Sequence, residues 1–143
     1  MQQIRVAIAD DDATMRDTLA ATLRTDDRYD VVAVAESGAE LLGLVTTLRP
    51  HVVLVDLRMP GGGPDLLATL QEGPPVVALV VSAESAPSAV VSVLRAGARG
   101  YLAKGRIGHC LPDFVWRSAQ GEVVLAVPTG AAVLRQLLSV TVR

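Results

Sequence analysis

The chain has 143 residues, 50% of them apolar and 20% charged, with a formal net charge of −2. That length predicts one domain with a substantial core, and the slight acidity argues against a domain that grips nucleic acid through a basic face. A single cysteine, Cys110, excludes a disulfide framework or a cysteine zinc cage and fits a reducing cytoplasm.

In chain order, Met1 to Arg5 leads straight into a first strand, Ile4–Ala9, an opening that predicts no signal peptide. Asp10-Asp11-Asp12 follow it. A helix is then expected over Thr14–Leu23, where Met15, Leu19 and Leu23 recur every four residues. Val31–Ala35 is the second strand, and Ser37-Gly38 opens a helix over Ala39–Leu48 with Leu41, Leu42, Val45 and Leu48 on one side. The third strand, Val52–Val55, runs into Asp56. Gly61-Gly62-Gly63-Pro64 reads as a flexible loop with proline at the first turn of a helix over Pro64–Leu70. Glu72-Gly73-Pro74-Pro75 closes that helix before the fourth strand, Val76–Val81, which ends at Ser82. This apolar run is far short of the ~18–20 residues a membrane-spanning helix needs. A helix over Ala86–Arg95, a fifth strand over Gly100–Ala103 reaching Lys104, and a helix over Pro112–Gln120 complete the series. Beyond Glu122 come Val123–Pro128 and an apolar helical stretch, Ala131–Val140. These read as a linker or partner helix, or as a helix packed back on the domain.

Five strands alternating with helices predict an α/β fold: a doubly wound, five-stranded parallel sheet with helices on both faces. Chemistry in such sheets sits beyond the carboxyl ends of the strands. The polar residues there are Asp10, Asp11, Asp12, Asp56, Ser82 and Lys104, the last being the only lysine among thirteen basic residues. Two carboxylates 4 Å apart repel by roughly 4 kcal/mol at an effective dielectric of 20. Such a cluster therefore calls for a cation, and oxygen donors without His or Cys select Mg²⁺ or a similar hard ion. An ammonium and a hydroxyl at the same rim suit a phosphoryl group, so the site reads as one for an aspartyl phosphate beside Mg²⁺. Taken singly the residues have plainer readings. One of the three successive acids fits the N-cap of the first helix, Ser82 fits a turn, and Tyr101 fits core filling.

Five segments together resemble the receiver domain of two-component response regulators over essentially the whole chain. They include Ile8-Ala9-Asp10-Asp11, Val53 to Gly61 around Asp56, Val80-Val81-Ser82-Ala83, and Arg95 to Lys104, which carries both Tyr101 and the lysine. Within that family Ile4 to Asp11, Arg58-Met59-Pro60-Gly61 and Gly121-Glu122 are most similar to NarL/LuxR-type transcription regulators. The resemblance implies a flavodoxin-like fold with strand order 2-1-3-4-5, the receiver domain over 1–122 and an extension over 123–143. It implies that Asp56 takes phosphate from a sensor histidine kinase. Asp10, Asp11, Asp56 and the backbone carbonyl of Arg58 would hold Mg²⁺ or Mn²⁺. Lys104 and Ser82 would contact phosphoryl oxygens, and Tyr101 would swing inward as Ser82 moves. It further implies a cytoplasmic switch with no enzymatic turnover beyond its own phosphotransfer and dephosphorylation, a homodimer, no membrane contact, and DNA contact only through an output domain outside these residues.

There are departures and rivals. Asp12 stands where this subfamily often has histidine, Gly62-Gly63-Pro64-Asp65 departs from the usual Asp-Gly, and Gly105 follows Lys104 in place of the usual proline or acid. Asp10-Asp11-Asp12-Ala13-Thr14 also reads D-x-D-x-T, resembling the first motif of haloacid-dehalogenase-type phosphatases, with Asp10 as nucleophile and Asp12 as general acid/base. That reading leaves Asp56 unexplained and lacks the family's closing acidic pair. A pseudo-receiver, a binding module without phosphoryl transfer, is the other alternative.

Overall fold

Six short strands alternate with six α-helices over residues 2–141, the part of the chain described in the computed structural model. In order they are β1 (Ile4–Ala9), α1 (Ala13–Arg24), β2 (Tyr29–Ala35), α2 (Gly38–Leu48), β3 (Val52–Val55), α3 (Pro64–Glu72), β4 (Val77–Ser82), α4 (Pro87–Ala96), β5 (Gly100–Ala103), α5 (Leu111–Ala119), β6 (Val124–Ala126) and α6 (Gly130–Thr141). Two 3-10 turns, Lys104–Arg106 and Gly108–Cys110, lead into α5.

Helix starts follow local chemistry. Asp12 caps α1, its carboxylate accepting from the amides of Thr14 and Met15. Ser37 Oγ accepts from Glu40 N at the start of α2, while Pro64 and Pro87 occupy first turns, where a missing N–H costs nothing.

Strands without polar alternation need cover on both faces, and they receive it. Val6 and Ile8 of β1 point into one cluster with Leu19, Leu23, Leu102 and Val115. Ala7 and Ala9 point into the other, with Leu41, Leu67, Val80, Val90 and Tyr101. Each fully buried Val or Leu contributes roughly 1.5–3 kcal/mol relative to exposure.

The sheet order is β2-β1-β3-β4-β5-β6, every recorded pair parallel. The expected order 2-1-3-4-5 is present, but the expected count of five strands is corrected to six. Val124, Leu125 and Ala126 pair with Gly100, Tyr101 and Leu102. The physical reason is the open edge that β5 would otherwise present. Gly100 permits the approach, since a Cβ there would lie 2.5 Å from the Val124 carbonyl oxygen. The apolar tail then folds back. α6 lies against α4, and Val133 is fully buried in the same cluster as Val90 and Val91.

Register does the rest. Ala9 is level with Val55, Val55 with Val80, and Ser82 with Ala103. The residues that follow or end these strands, Asp10, Asp56, Ser82 and Lys104, therefore emerge along one edge.

Candidate functional site

Three carboxylates converge at that edge. Asp10, Asp11 and Asp56 each place an oxygen within 4.8 Å of the others. Asp10 and Asp56 are almost sealed, at 1% and 4% exposure, while Asp11 faces solvent. Lys104 Nζ reaches both buried acids, 3.2 Å from Asp56 Oδ2 and 3.0 Å from Asp10 Oδ2. The first contact is a hydrogen bond. The second is an ion pair, not an aligned hydrogen bond, so Asp10 Oδ2 is a buried oxygen without a hydrogen-bond donor.

The remaining oxygens are held by backbone amides. Asp12 N donates to Asp10 Oδ1 at 2.9 Å, and Arg58 N donates to Asp56 Oδ1 at 3.2 Å. Burial pushes the Asp10 carboxyl above the ordinary aspartate value, against the Asp12 amide and Lys104, which pull it down. Burial also works against the Lys104 ammonium, but Asp10 and Asp56 outweigh it and hold Lys104 above its usual value. One ammonium thus answers for two buried carboxylates and a third nearby. The donor set is all oxygen, positive charge is in deficit, and one buried oxygen lacks a donor. These residues fit a hard divalent cation.

Beside the acids lies a second group of predicted residues. Ser82 is fully buried at the end of β4, and its Oγ accepts from Glu84 N at 3.2 Å. Tyr101, expected to swing inward, is fully buried, with its hydroxyl donating to the Glu84 carbonyl. Burial raises its phenol above the ordinary value. The Glu84 carboxylate accepts from Ala86 N at 2.9 Å and from the Arg58 guanidinium at 2.9 Å. Those bonds hold it below the usual glutamate range. Arg58 is thus attached to Asp56 by its amide and to the β4–α4 loop by its side chain.

Asp12, the third acid, is exposed and spends one oxygen capping α1. It lies outside the cluster of Asp10, Asp11 and Asp56. Within Gly61-Gly62-Gly63, a stretch whose sequence reads as a flexible loop, Gly61 and Gly62 make close backbone contacts. A Cβ on Gly62 would sit 2.7 Å from the Asp56 carbonyl oxygen, and one on Gly38 would sit 2.2 Å from that of Gly61. Two contributors escaped the sequence reading. Arg16 donates to the Asp10 carbonyl at 2.8 Å, and Thr129 Oγ1 donates to the Ser85 carbonyl at 2.6 Å. A cation in the first turns of a helix, where the dipole disfavours it, was the available signal for Arg16. Thr129 offered none.

The profile of the response regulator receiver domain matches residues 6–107. The chain belongs to the response regulator receiver domain family. Among its relatives is a nitrate/nitrite response regulator protein homolog from Haemophilus influenzae, 33% identical over 126 residues, 87% of this chain and 61% of that protein. Another is the response regulator GacA of Pseudomonas protegens, 41% identical over 106 residues, 71% of this chain and 49% of that protein. The receiver domain of NarL from Mycobacterium tuberculosis superposes with a TM-score of 0.82 at 31% identity, covering 85% of this chain and all of that one. The NarL-type character read from the sequence is thus shared by relatives and structure alike. This receiver domain spans at most 61% of these two curated relatives. Among the described residues no helix is long and apolar enough to cross a membrane.

Proposed function

We propose that this receiver domain is a phosphorylation-dependent switch. Asp56 accepts a phosphoryl group from a phosphohistidine of a sensor histidine kinase and relays the change to a transcriptional output domain. The observation that carries the reading is the single lysine bridging two nearly sealed aspartates at neighbouring strand ends.

In the transfer, an Asp56 carboxylate oxygen attacks phosphorus, the P–N bond breaks, and the departing imidazole nitrogen keeps the electron pair and takes a proton. Lys104 is a compact, mobile charge suited to a phosphoryl oxygen as it gains negative charge. Ser82 is the hydroxyl that would meet another. Asp10, Asp11, Asp56 and the Arg58 carbonyl would hold Mg²⁺ or Mn²⁺, which when bound would offset the charge crowded onto the phosphoryl oxygens. Bound phosphate would draw Ser82 and Glu84 with it, and through the Glu84 carbonyl it would bias the packing of Tyr101, a population shift within one fold.

The receiver unit is taken as 1–122, with 123–143 an extension that adds β6 and α6 to it and leads toward the output domain. That domain would carry any DNA contact, with dimerisation the regulated step, in the cytoplasm. The relatives named as response regulators support this reading.

Beryllofluoride with Mg²⁺ tests it. The wild type should bind the mimic, read by fluorine NMR, and Asp56→Asn should abolish binding. Loss specific to Asp10→Asn, with Asp56→Asn normal, would instead indicate the phosphatase arrangement. No binding by the wild type would indicate a pseudo-receiver.

A further inference from the structure

Asp10 is fixed from four directions. Its N–H donates to the Ala35 carbonyl at 3.0 Å, which keeps it in line with the sheet. Oδ1 accepts from Asp12 N at 2.9 Å, and Oδ2 lies 3.0 Å from Lys104 Nζ. The fourth restraint comes from outside the acidic cluster: Arg16 Nη1 donates to the Asp10 carbonyl at 2.8 Å. The Arg16 side chain is only 12% exposed, and its other nitrogen lies 3.5 Å from Glu36 Oε1. Glu36 follows β2, so one guanidinium ties the β1–α1 loop to the loop after β2.

This placement works against cation binding on simple electrostatic grounds. A cation in the first turns of α1 opposes the helix dipole. A fixed positive charge beside a group of acids also weakens their attraction for a metal ion. What the contact supplies is orientation: one N–H of a planar guanidinium, Nη1, fixes the carbonyl of the peptide that joins Asp10 to Asp11.

We propose that Arg16 is a positioning residue of the acidic site, holding the Asp10–Asp11 peptide so that both carboxylates face one cation. The proposal rests on the phosphoryl-switch reading above. It carries a sign that separates it from plain electrostatics. If Arg16 acted only through its charge, removing it would tighten Mg²⁺ binding. If it positions the ligands, removing it loosens binding in spite of the lost repulsion.

The test is calorimetric titration of Mg²⁺ into the wild type and into Arg16→Met, Arg16→Lys, Glu36→Gln and Asp11→Asn, with thermal melting of each metal-free protein. Arg16→Met should weaken Mg²⁺ by roughly tenfold, as is typical when a residue orienting a metal ligand is lost. Arg16→Lys keeps one donor and should fall between Arg16→Met and the wild type, and it provides the answer if Arg16→Met does not fold. Glu36→Gln leaves the bond to Asp10 intact and should bind as the wild type does. A merely structural role would lower the melting temperature of the Arg16 variants without moving the affinity of the folded protein. Unchanged or tighter binding in Arg16→Met, or unchanged binding in Arg16→Lys alone, overturns the proposal. Loss of binding in Asp11→Asn beside normal binding in Arg16→Met overturns it while leaving the site reading in place. A wild type that binds no Mg²⁺ overturns both.

Discussion

Thr129 Oγ1 donates to the Ser85 carbonyl at 2.6 Å, across 44 residues of sequence. Ser85 follows Glu84, whose carbonyl accepts the Tyr101 hydroxyl and whose carboxylate meets Arg58. The bond therefore attaches the segment between β6 and α6 to the loop that also carries the Tyr101 contact, and α6 lies on α4 just beyond it. Thr129→Val keeps the shape and removes the donor. It should cost about 1 kcal/mol and speed amide exchange across α6. A denaturation midpoint and exchange pattern equal to the wild type's would mean that apolar packing by Val127 and Val133 alone holds the tail.

Lys104→Arg preserves charge, and its effect should separate shape from charge. Replacing a compact ammonium by a planar fork moves the charge away from the point between Asp10 and Asp56. Labelling by a small-molecule phosphodonor should slow by at least about tenfold, part of the ~100-fold expected when a key oxyanion donor is lost altogether. The metal-free melting temperature should change little. A normal labelling rate would remove Lys104 from the site.

Alkaline pH should unfold the domain through its tyrosines. Burial pushes Tyr29 up to about 12, with Arg28 partly opposing, and burial raises Tyr101 as well. Tyr29 is 3% exposed, and its hydroxyl donates to the Pro112 carbonyl at the start of α5. The folded pKa lies above the unfolded value of 10.0. The folded state therefore holds the proton longer, and the stability from a neutral Tyr29 is fully present below pH 10 and lost as pH climbs toward about 12. Absorbance at 295 nm should show little tyrosinate near pH 10, then a rise coincident with loss of ellipticity. Tyr29→Phe should weaken that alkaline transition. Half-ionisation of the tyrosines near pH 10 in the still-folded protein would contradict the burial argument.

Much of this is legible in the chain itself, because the relevant physics is local. Helical spacing of apolar residues marks α1 and α2, and unbroken Val and Leu runs mark the strands. Asp56, Ser82 and Lys104 stood out because polar residues are rare at the ends of such runs. Asp12 was harder, since three successive acids leave open which one caps the helix. The answer depended on where Asp10 was held by Lys104, Asp12 N and the sheet. In the sequence Gly62 reads as flexible because glycine is permissive. Its role here is the opposite, a close backbone contact with Asp56 that no side chain could make.

The doubly wound parallel plan and the acidic, lysine-marked edge follow from the order of residues alone, since periodicity and residue chemistry are properties of neighbours along the chain. That a sixth strand closes the β5 edge, and that the apolar tail turns back onto α4, emerges only in the folded chain. Folding alone brings Arg16 and Thr129 into or beside the site. Those outcomes turn on which open edge and which carbonyl a distant segment meets. A three-residue strand or a lone threonine carries too little local signal to announce its partner. Their placement is decided by the apolar surface and unpaired backbone left over once the main sheet has formed.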